Sequence, residues 1–256
     1  MVNREIIINP RYNYLEDFVN NLPSTFEREG ETIRKVRNEV KVFETNGVRV
    51  NVKRYCKPPF FVNRIIYAIF RDSKAKRAFE YAQRLLSLNI DTPSPIAYIE
   101  DRNVILLSYS YFVSIQVTHP RTLVETSYCD IDSEAEMILT DFGRYTADLH
   151  NKGIYHRDYC ADNILLKMED GKPSFCLIDI NRMDFEEISM KRGCTNFNRF
   201  ALTEQSAKIL AQSYSEARGF NPTEVCKMML KYREALMNKR KFKPKKILQR
   251  LFDRAK

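Results

Sequence analysis

The chain has 256 residues, enough for one folded protein of two lobes with its own hydrophobic core, and its length requires no further domain. Six scattered cysteines without a Cys-x-x-Cys pair argue against a zinc site or a disulfide framework and favour a reducing cytoplasm. Of the net charge of +9, the segment from Lys239 to Lys256 contributes +8 and the rest of the chain only +1.

The apolar runs of the chain are short. After Met1 the only early run is Ile6–Ile8, too short for the hydrophobic region of a secretory signal. The longest candidate membrane stretch, FFVNRIIYAIF at 60–70, is about half of a bilayer span and contains Asn63 and Arg64. The sequence therefore predicts a protein that does not cross a membrane.

The first part of the chain shows the alternation of apolar and polar residues that is typical of an antiparallel sheet. The predicted elements are a strand at Glu5–Ile8, a short helix from about Tyr12 to Asn20, and strands at Thr32–Arg37, Glu39–Glu44 and Val48–Tyr55. Asn46-Gly47, between the last two strands, is a strong hairpin signal. On the last strand Lys53 faces away from the valines.

A helix and a second hairpin are predicted next. Ser73 suits the N-cap of a helix that ends at Asn89, and Glu80 borders the apolar face of this helix. The stretch 96–112 predicts a hairpin that turns at Asp101–Asn103, followed by a strand that runs into a hinge. Residues 113–135 show little pattern.

The stretch LHNKGIYHRDYCADNILLKMEDGKPSFCLIDINR, residues 149–182, has the strongest pattern in the chain. A helix at Ile138–Leu149 is predicted to end at Gly153, and a polar loop follows it. Two short strands are then predicted at Ile164–Lys167 and Phe175–Ile180, with EDGKP as the turn between them.

Three side chains of this stretch suit phosphoryl transfer, a reaction that needs a carboxylate near the acceptor hydroxyl and oxygen ligands that hold Mg²⁺ on the phosphates. Asp158 and Asn163 lie five residues apart in a tight loop, and the hairpin returns Asp179 as a charged metal ligand. The spacing is that of the kinase catalytic loop H-R-D-x-x-x-x-N followed by a metal-binding Asp. An isolated HRD tripeptide is usually a surface sequence, but three parts in register favour a catalytic centre.

Three basic residues of the same stretch receive a structural interpretation. His156 and Arg157 are expected to brace the catalytic loop rather than to react. His150, near the end of the preceding helix, is interpreted as a capping or packing residue.

The motifs HRDYCADNILL and LIDINR, preceded by VNVKRY and TPSPIAYIE, resemble the Kdo/WaaP-type lipopolysaccharide kinase family within the wider protein-kinase-like fold. The resemblance runs from about Phe26 to about Arg199. It implies a bilobal α+β fold, with an antiparallel-sheet N-lobe at about 1–108 and a mainly helical C-lobe at about 109–256. Chain 1–256 is then one kinase-like unit.

The resemblance also implies roles for individual residues. Asp158 would be the catalytic base, Asn163 and Asp179 would hold Mg²⁺, and Lys53 would bind the phosphates of ATP. Glu80 would pair with Lys53, although its four-residue spacing from Lys76 and Arg84 also fits ordinary helical ion pairs. Lys53 also suits an ordinary solvated charge when its strand is considered alone.

Two further expectations concern the nucleotide. Backbone groups near Leu107–Tyr109 would bind adenine. No Gly-x-Gly-x-x-Gly loop is present, so Arg34, Lys35 or Arg37 is expected to supply side-chain charge where backbone amides cap the phosphates in other kinases.

The tail from Pro244 predicts a basic amphipathic helix that suits an anionic membrane surface. A helix docked on the C-lobe with its basic residues in water fits the pattern equally. Nucleic acid is disfavoured, because no aromatic residues are interleaved there for base stacking.

The sequence thus favours an ATP- and Mg²⁺-dependent kinase of the bacterial cytoplasm, peripheral on the inner membrane, that phosphorylates a sugar hydroxyl of Kdo-lipid A or inner-core lipopolysaccharide. The absence of an Ala-Pro-Glu signature argues against peptide acceptors. Two alternatives stay open: a small protein kinase or small-molecule phosphotransferase, and a membrane-associated pseudokinase that binds without turnover.

Overall fold

A computed structural model describes residues 2–56, 72–103, 106–119, 121–126, 128 and 130–241. It divides into two compact units, which we call the N-terminal unit, residues 1–118 with 176–182, and the C-terminal unit, residues 119–175 with 183–256. The candidate membrane stretch at 60–70 and the basic tail from Pro244 lie outside the described residues. Within the described ranges, no helix is long and apolar enough to cross a membrane.

The N-terminal unit is built on a six-stranded antiparallel sheet with the strand order β1-β5-β6-β4-β3-β2. Its strands are β1 Val2–Ile8, β2 Glu31–Lys35, β3 Glu39–Thr45, β4 Val48–Tyr55, β5 Pro95–Asn103 and β6 Leu106–Ile115. Its helices are α1 Glu16–Thr25 and α2 Lys74–Ser87, and a 3-10 turn at Pro10–Leu15 leads into α1. The predicted strands and the helix after Ser73 are confirmed. The helix predicted from Tyr12 to Asn20 is instead a 3-10 turn followed by a helix that ends at Thr25, and Asp101–Asn103, predicted as a hairpin turn, belong to β5.

The strands of this sheet follow from the alternation of apolar and polar residues along the sequence. Val50 and Val52 of β4 are fully buried, and they join a core that includes Val19 and Leu22 of α1. The turn between β3 and β4 places Asn46 at φ 48° and Gly47 at φ 73°, the pair of left-handed conformations that this type of hairpin needs. Asn-Gly adopts them at little cost.

Helix α2 begins as predicted, because the Ser73 side chain accepts a hydrogen bond from the Lys76 backbone N–H at 3.1 Å. The predicted hinge at Leu107–Tyr109 is wrong. These residues lie inside β6 and pair with Asp101 and Arg102 of β5, and the strand continues to Ile115.

The C-terminal unit consists mainly of helices. They are α3 Ser133–Asn151, α4 Met190–Asn196, α5 Glu204–Arg218 and α6 Pro222–Lys241. Its short strands are β7 Arg121–Thr122, β8 Ile154–His156, β9 Ile164–Glu169, β10 Lys172–Leu177 and β11 Met183–Phe185, and β10 carries the chain back into the N-terminal unit. The hairpin of β9 and β10 turns at Asp170 and Gly171, both with positive φ.

The core of this unit is rich in aromatic rings around Phe142 of α3. Tyr159, Phe175, Phe197 and Phe200 all pack against this ring, with centroids 5.3–6.4 Å apart. Since Tyr159 directly follows Asp158, the core fixes the backbone of the predicted catalytic loop.

Candidate active site

The N-terminal unit brings Lys53 and Asp179 together. Lys53 lies on β4, and its Nζ is 2.6 Å from Asp179 Oδ1 in a half-buried ion pair. The same carboxylate oxygen accepts a hydrogen bond from the Asn181 amide at 2.6 Å. A side chain that accepts two charged or polar donors is held in one orientation.

The segment that carries Asp179 is anchored to the N-terminal unit by backbone contacts. Leu177 N–H donates to the Asp91 carbonyl at 2.9 Å, and the Thr92 hydroxyl donates to the Leu177 carbonyl at 2.7 Å. β10 ends at Leu177 and not at the predicted Ile180, because Asp179 has a left-handed backbone with φ 57° that cannot continue a strand.

A second lysine, Lys74, lies beside this pair. It is the first residue of α2, and its Nζ lies over the Tyr55 ring, 5.7 Å from the centroid, while Lys53 Nζ lies 5.3 Å from the same centroid. Burial and, after it, the nearby cations Arg37, Arg182 and Arg77 lower the pKa of Lys74 to about 8, while Asp179 opposes them.

Tyr55, the ring between these lysines, is buried, and burial together with the Asp179 carboxylate raises the pKa of its hydroxyl. It stays a neutral hydrogen-bonding partner of Asn181. The group around Asp179 therefore combines one carboxylate with several cations.

Glu80 does not meet Lys53. It lies on the exposed part of α2, where its carboxylate is 4.0 Å from Lys76 Nζ, and burial raises its pKa. The prediction of a Lys53–Glu80 pair is corrected to the alternative of a helical pair at four-residue spacing. The apolar face of α2 turns other residues inward, among them Ala78, Phe79 and Ala82.

The three basic residues expected to replace a glycine-rich loop have different environments. Lys35 ion-pairs with Glu39 at 3.2 Å, and Arg34 is exposed on β2. Arg37 is close enough to Lys74 to lower its pKa. Of the three, Arg37 is the one that adds to the positive charge near Asp179.

In the C-terminal unit the loop after β8 is held by hydrogen bonds to its own backbone. The Asp158 N–H donates to His156 Nδ1 at 3.0 Å, and Asn163 Nδ2 donates to the Asp158 carbonyl at 2.9 Å. Asn196 Nδ2 donates to the His156 carbonyl at 3.0 Å. Asp158 and Asn163 are thereby brought together, and the predicted bracing role of His156 is confirmed.

Arg157 also braces the loop, because its guanidinium donates to both carboxylate oxygens of Asp184, each at 2.8 Å. His150 packs inside the unit as predicted. Its ring bonds to the Tyr214 hydroxyl at 2.8 Å and to Asn196 Oδ1 at 2.9 Å, and burial lowers its pKa to about 4.

The Asp158 side chain contacts a basic residue that the sequence pattern did not link to it. Arg199, on the 3-10 turn Phe197–Arg199, donates a short hydrogen bond from Nη1 to Asp158 Oδ1. The two residues are 41 positions apart, so no local spacing signals the contact. Asn181 is different, since the Asp-x-Asn spacing in LIDINR offered a signal for its bond to Asp179.

Two side chains present oxygen atoms of the kind that a hard cation prefers. Asp179 presents a carboxylate, and the bond from Asn163 Nδ2 to a carbonyl orients the amide so that its oxygen is the metal-binding atom. Lys53 and Lys74 supply fixed positive charge of the kind that binds phosphate oxygens.

The chain is similar to known proteins in sequence and in fold. The sequence profile of the family described as Lipopolysaccharide kinase (Kdo/WaaP) matches residues 19–217. A solved structure described as WaaP in complex with acyl carrier protein superposes with a TM-score of 0.62 at 14% identity, over 91% of this chain and 99% of that chain. No curated protein sequence matches the chain significantly. The structural match shows a kinase-like fold.

Proposed function

Because the chain belongs to the lipopolysaccharide kinase (Kdo/WaaP) family and is thereby a phosphotransferase acting on a sugar hydroxyl, we propose that it transfers the γ-phosphate of ATP to a hydroxyl of Kdo-lipid A or inner-core lipopolysaccharide. The observation that carries the residue assignment is the Lys53–Asp179 pair. These residues are 126 positions apart, and their contact supports the proposed roles of a phosphate-binding lysine and a metal-binding carboxylate.

Asp158 is the proposed base. It orients the acceptor hydroxyl and accepts its proton as the oxygen attacks the γ-phosphorus in line with the departing ADP oxygen. Its backbone is held by hydrogen bonds with His156 and Asn163, so the loop that carries the carboxylate is preorganised. Such preorganisation is how a kinase active site accelerates a reaction that needs little covalent chemistry.

Asp179 and Asn163 are the proposed ligands of Mg²⁺, which neutralises charge on the β- and γ-phosphates when bound. Lys53 binds phosphate oxygens, and the nucleotide then takes the place that Asp179 holds on Lys53 in the free protein. Lys74 and Arg37 add positive charge, which supports the idea that side chains replace a glycine-rich loop here.

We place the reaction at the cytoplasmic face of the bacterial inner membrane, where the basic C-terminal tail would attract the protein to anionic lipid. The acceptor glycolipid is proposed to be presented from that surface.

The test is radiolabelled transfer from [γ-³²P]ATP with Mg²⁺ to Kdo-lipid A, with a generic protein acceptor in parallel. Asp158→Asn and Asp179→Asn are compared with Asp170→Asn, a control that removes a carboxylate from the exposed β9–β10 turn. We expect glycolipid labelling by the wild type and by the control. We expect the rate of glycolipid labelling to fall at least about 100-fold in both active-site variants.

Nucleotide binding separates the two roles. Asp158→Asn is expected to bind Mg²⁺-ADP as the wild type does, whereas Asp179→Asn binds it more weakly. Label only in protein would instead support a protein kinase. Magnesium-dependent binding without any transfer would support a pseudokinase, and full activity of Asp158→Asn would remove it from the role of base.

A further inference from the structure

Arg199 is the basic residue that contacts the carboxylate of Asp158. It ends the 3-10 turn Phe197–Arg199, and the rings of Phe197 and Phe200 on either side are buried against Phe142. Its side chain, in contrast, is 37% exposed. The core therefore fixes the backbone of Arg199 while its guanidinium lies at the surface.

Other basic side chains near the loop have structural partners. Arg157 and Arg192 both bind Asp184, and the Arg192 guanidinium lies 4.2 Å from the centroid of the Tyr155 ring. The loop from Asp158 to Asn163 contains no Lys or Arg between its ends. Arg199 is therefore a cation that the C-terminal unit supplies to Asp158 from outside the loop.

This contact engages one of the two carboxylate oxygens of the proposed base. The proton of the acceptor hydroxyl must reach a carboxylate oxygen of Asp158, and Arg199 occupies Oδ1. A partly exposed ion pair of this kind adds little stability and exchanges partners readily. A guanidinium binds a carboxylate or a phosphate with two parallel hydrogen bonds, so an anionic ligand competes well for it.

We infer that Arg199 binds an anionic group of the acceptor, a carboxylate or a phosphate next to the reacting hydroxyl, and that this binding releases Asp158. The inference rests on the proposed function of the same site. The acceptor itself then completes the active site. Its anionic group binds the Arg199 guanidinium, and its hydroxyl donates a hydrogen bond to the Asp158 carboxylate oxygen that Arg199 has left. A neutral sugar leaves the Asp158–Arg199 pair in place and reacts poorly.

The test is steady-state kinetics of the full chain at saturating Mg²⁺-ATP with three acceptors: Kdo-lipid A, its Kdo methyl ester, and its dephosphorylated form. The variants are Arg199→Gln, Arg199→Lys and Lys208→Gln, the last removing an exposed charge from α5. We expect neutralisation of the recognised anion to raise the acceptor KM of the wild type and of Lys208→Gln by about tenfold or more. The form that shows the effect identifies the anion as carboxylate or phosphate.

Arg199→Gln is expected to have a raised KM for Kdo-lipid A and to treat charged and neutralised acceptors alike. Arg199→Lys keeps the positive charge but lacks the planar guanidinium, so its acceptor KM should lie between those of the wild type and Arg199→Gln. It also provides a second variant in case Arg199→Gln does not fold. The inference is overturned if Arg199→Gln still discriminates between the acceptors, or if its effect falls on the KM for ATP alone. Failure of the proposed function looks different, because then the wild type labels no glycolipid.

Discussion

Two lysines lie near the ring of Tyr55: Lys53 on β4 and Lys74 on α2. Burial is the main cause of the low pKa of Lys74, and repulsion by the cations Arg37, Arg182 and Arg77 adds to it. Nucleotide phosphates would relieve the repulsion. The nucleotide should therefore bind the protonated form of Lys74 more tightly.

We predict that Lys74→Met weakens Mg²⁺-ATP binding by about tenfold, the usual worth of a charged hydrogen bond. The affinity of the wild type should be highest below pH 8 and should fall above it, because binding raises a pKa that is about 8 in the free protein. Calorimetry in buffers of different ionisation enthalpy measures the proton uptake. Lys76→Met, which removes a charge from the same turn of α2, should keep both the affinity and the proton uptake.

A second prediction concerns His150, whose folded pKa of about 4 lies below the ordinary value of 6.5 because the ring is buried. Between these two pH values the unfolded chain takes up a proton that the folded chain does not. Stability is therefore fully present above pH 6.5 and falls as the pH drops toward 4, by about 3 kcal/mol in total. Urea denaturation at pH 7.5 and pH 5 should show a smaller acid loss in His150→Gln than in the wild type. Equal losses would contradict the assignment.

Helices α3 and α5 pack closely where Gly143 of α3 faces Ser213 of α5. A Cβ added to Gly143 would lie 2.0 Å from Ser213 Oγ and 3.0 Å from the Leu210 carbonyl oxygen. Both helices carry the aromatic core that fixes the catalytic loop. The two helices can approach this closely because Gly143 has no side chain.

We predict that Gly143→Ala destabilises the protein by about 1–3 kcal/mol, because a methyl group forced into this contact moves α5. Chemical denaturation of the variant measures the loss. The double variant Gly143→Ala/Ser213→Ala should recover part of it, since the Ser213 hydroxyl is the nearest clash. Additive losses in the double variant would show that the contact is not the cause.

In the whole molecule the positive charge is concentrated in the C-terminal tail, so we expect membrane binding and catalysis to depend on different parts of the chain. Residues 242–256 contain six basic residues and one acidic residue, so their removal takes the net charge from +9 to +4. We predict that truncation after Lys241 abolishes cosedimentation with vesicles rich in anionic lipid, since each basic residue contributes about 1 kcal/mol near such a surface. Nucleotide binding should be unchanged. Vesicle binding by the truncated protein equal to that of the full chain would refute a role of the tail.

Local patterns predicted much of this molecule. The strand at Val48–Tyr55 and the helix after Ser73 were correct because alternation, N-caps and Asn-Gly turns act over a few residues. Glu80 was misplaced because the rotation of a helix about its axis depends on the surface that covers it. Arg199 was not linked to Asp158 for a related reason: the contact is made by the packing of Phe197 and Phe200, which no spacing in the sequence records.

The left-handed backbone of Asp179 has a consequence for how such a protein would decay in evolution. With φ at 57°, the position accepts Asn or Gly with little strain, whereas a β-branched residue there costs conformational energy regardless of catalysis. Asp158 has no positive φ and carries no such restriction. A gene copy released from selection for phosphoryl transfer should therefore drift widely at position 158 but settle on Asn or Gly at position 179, leaving a recognisable signature of its former activity.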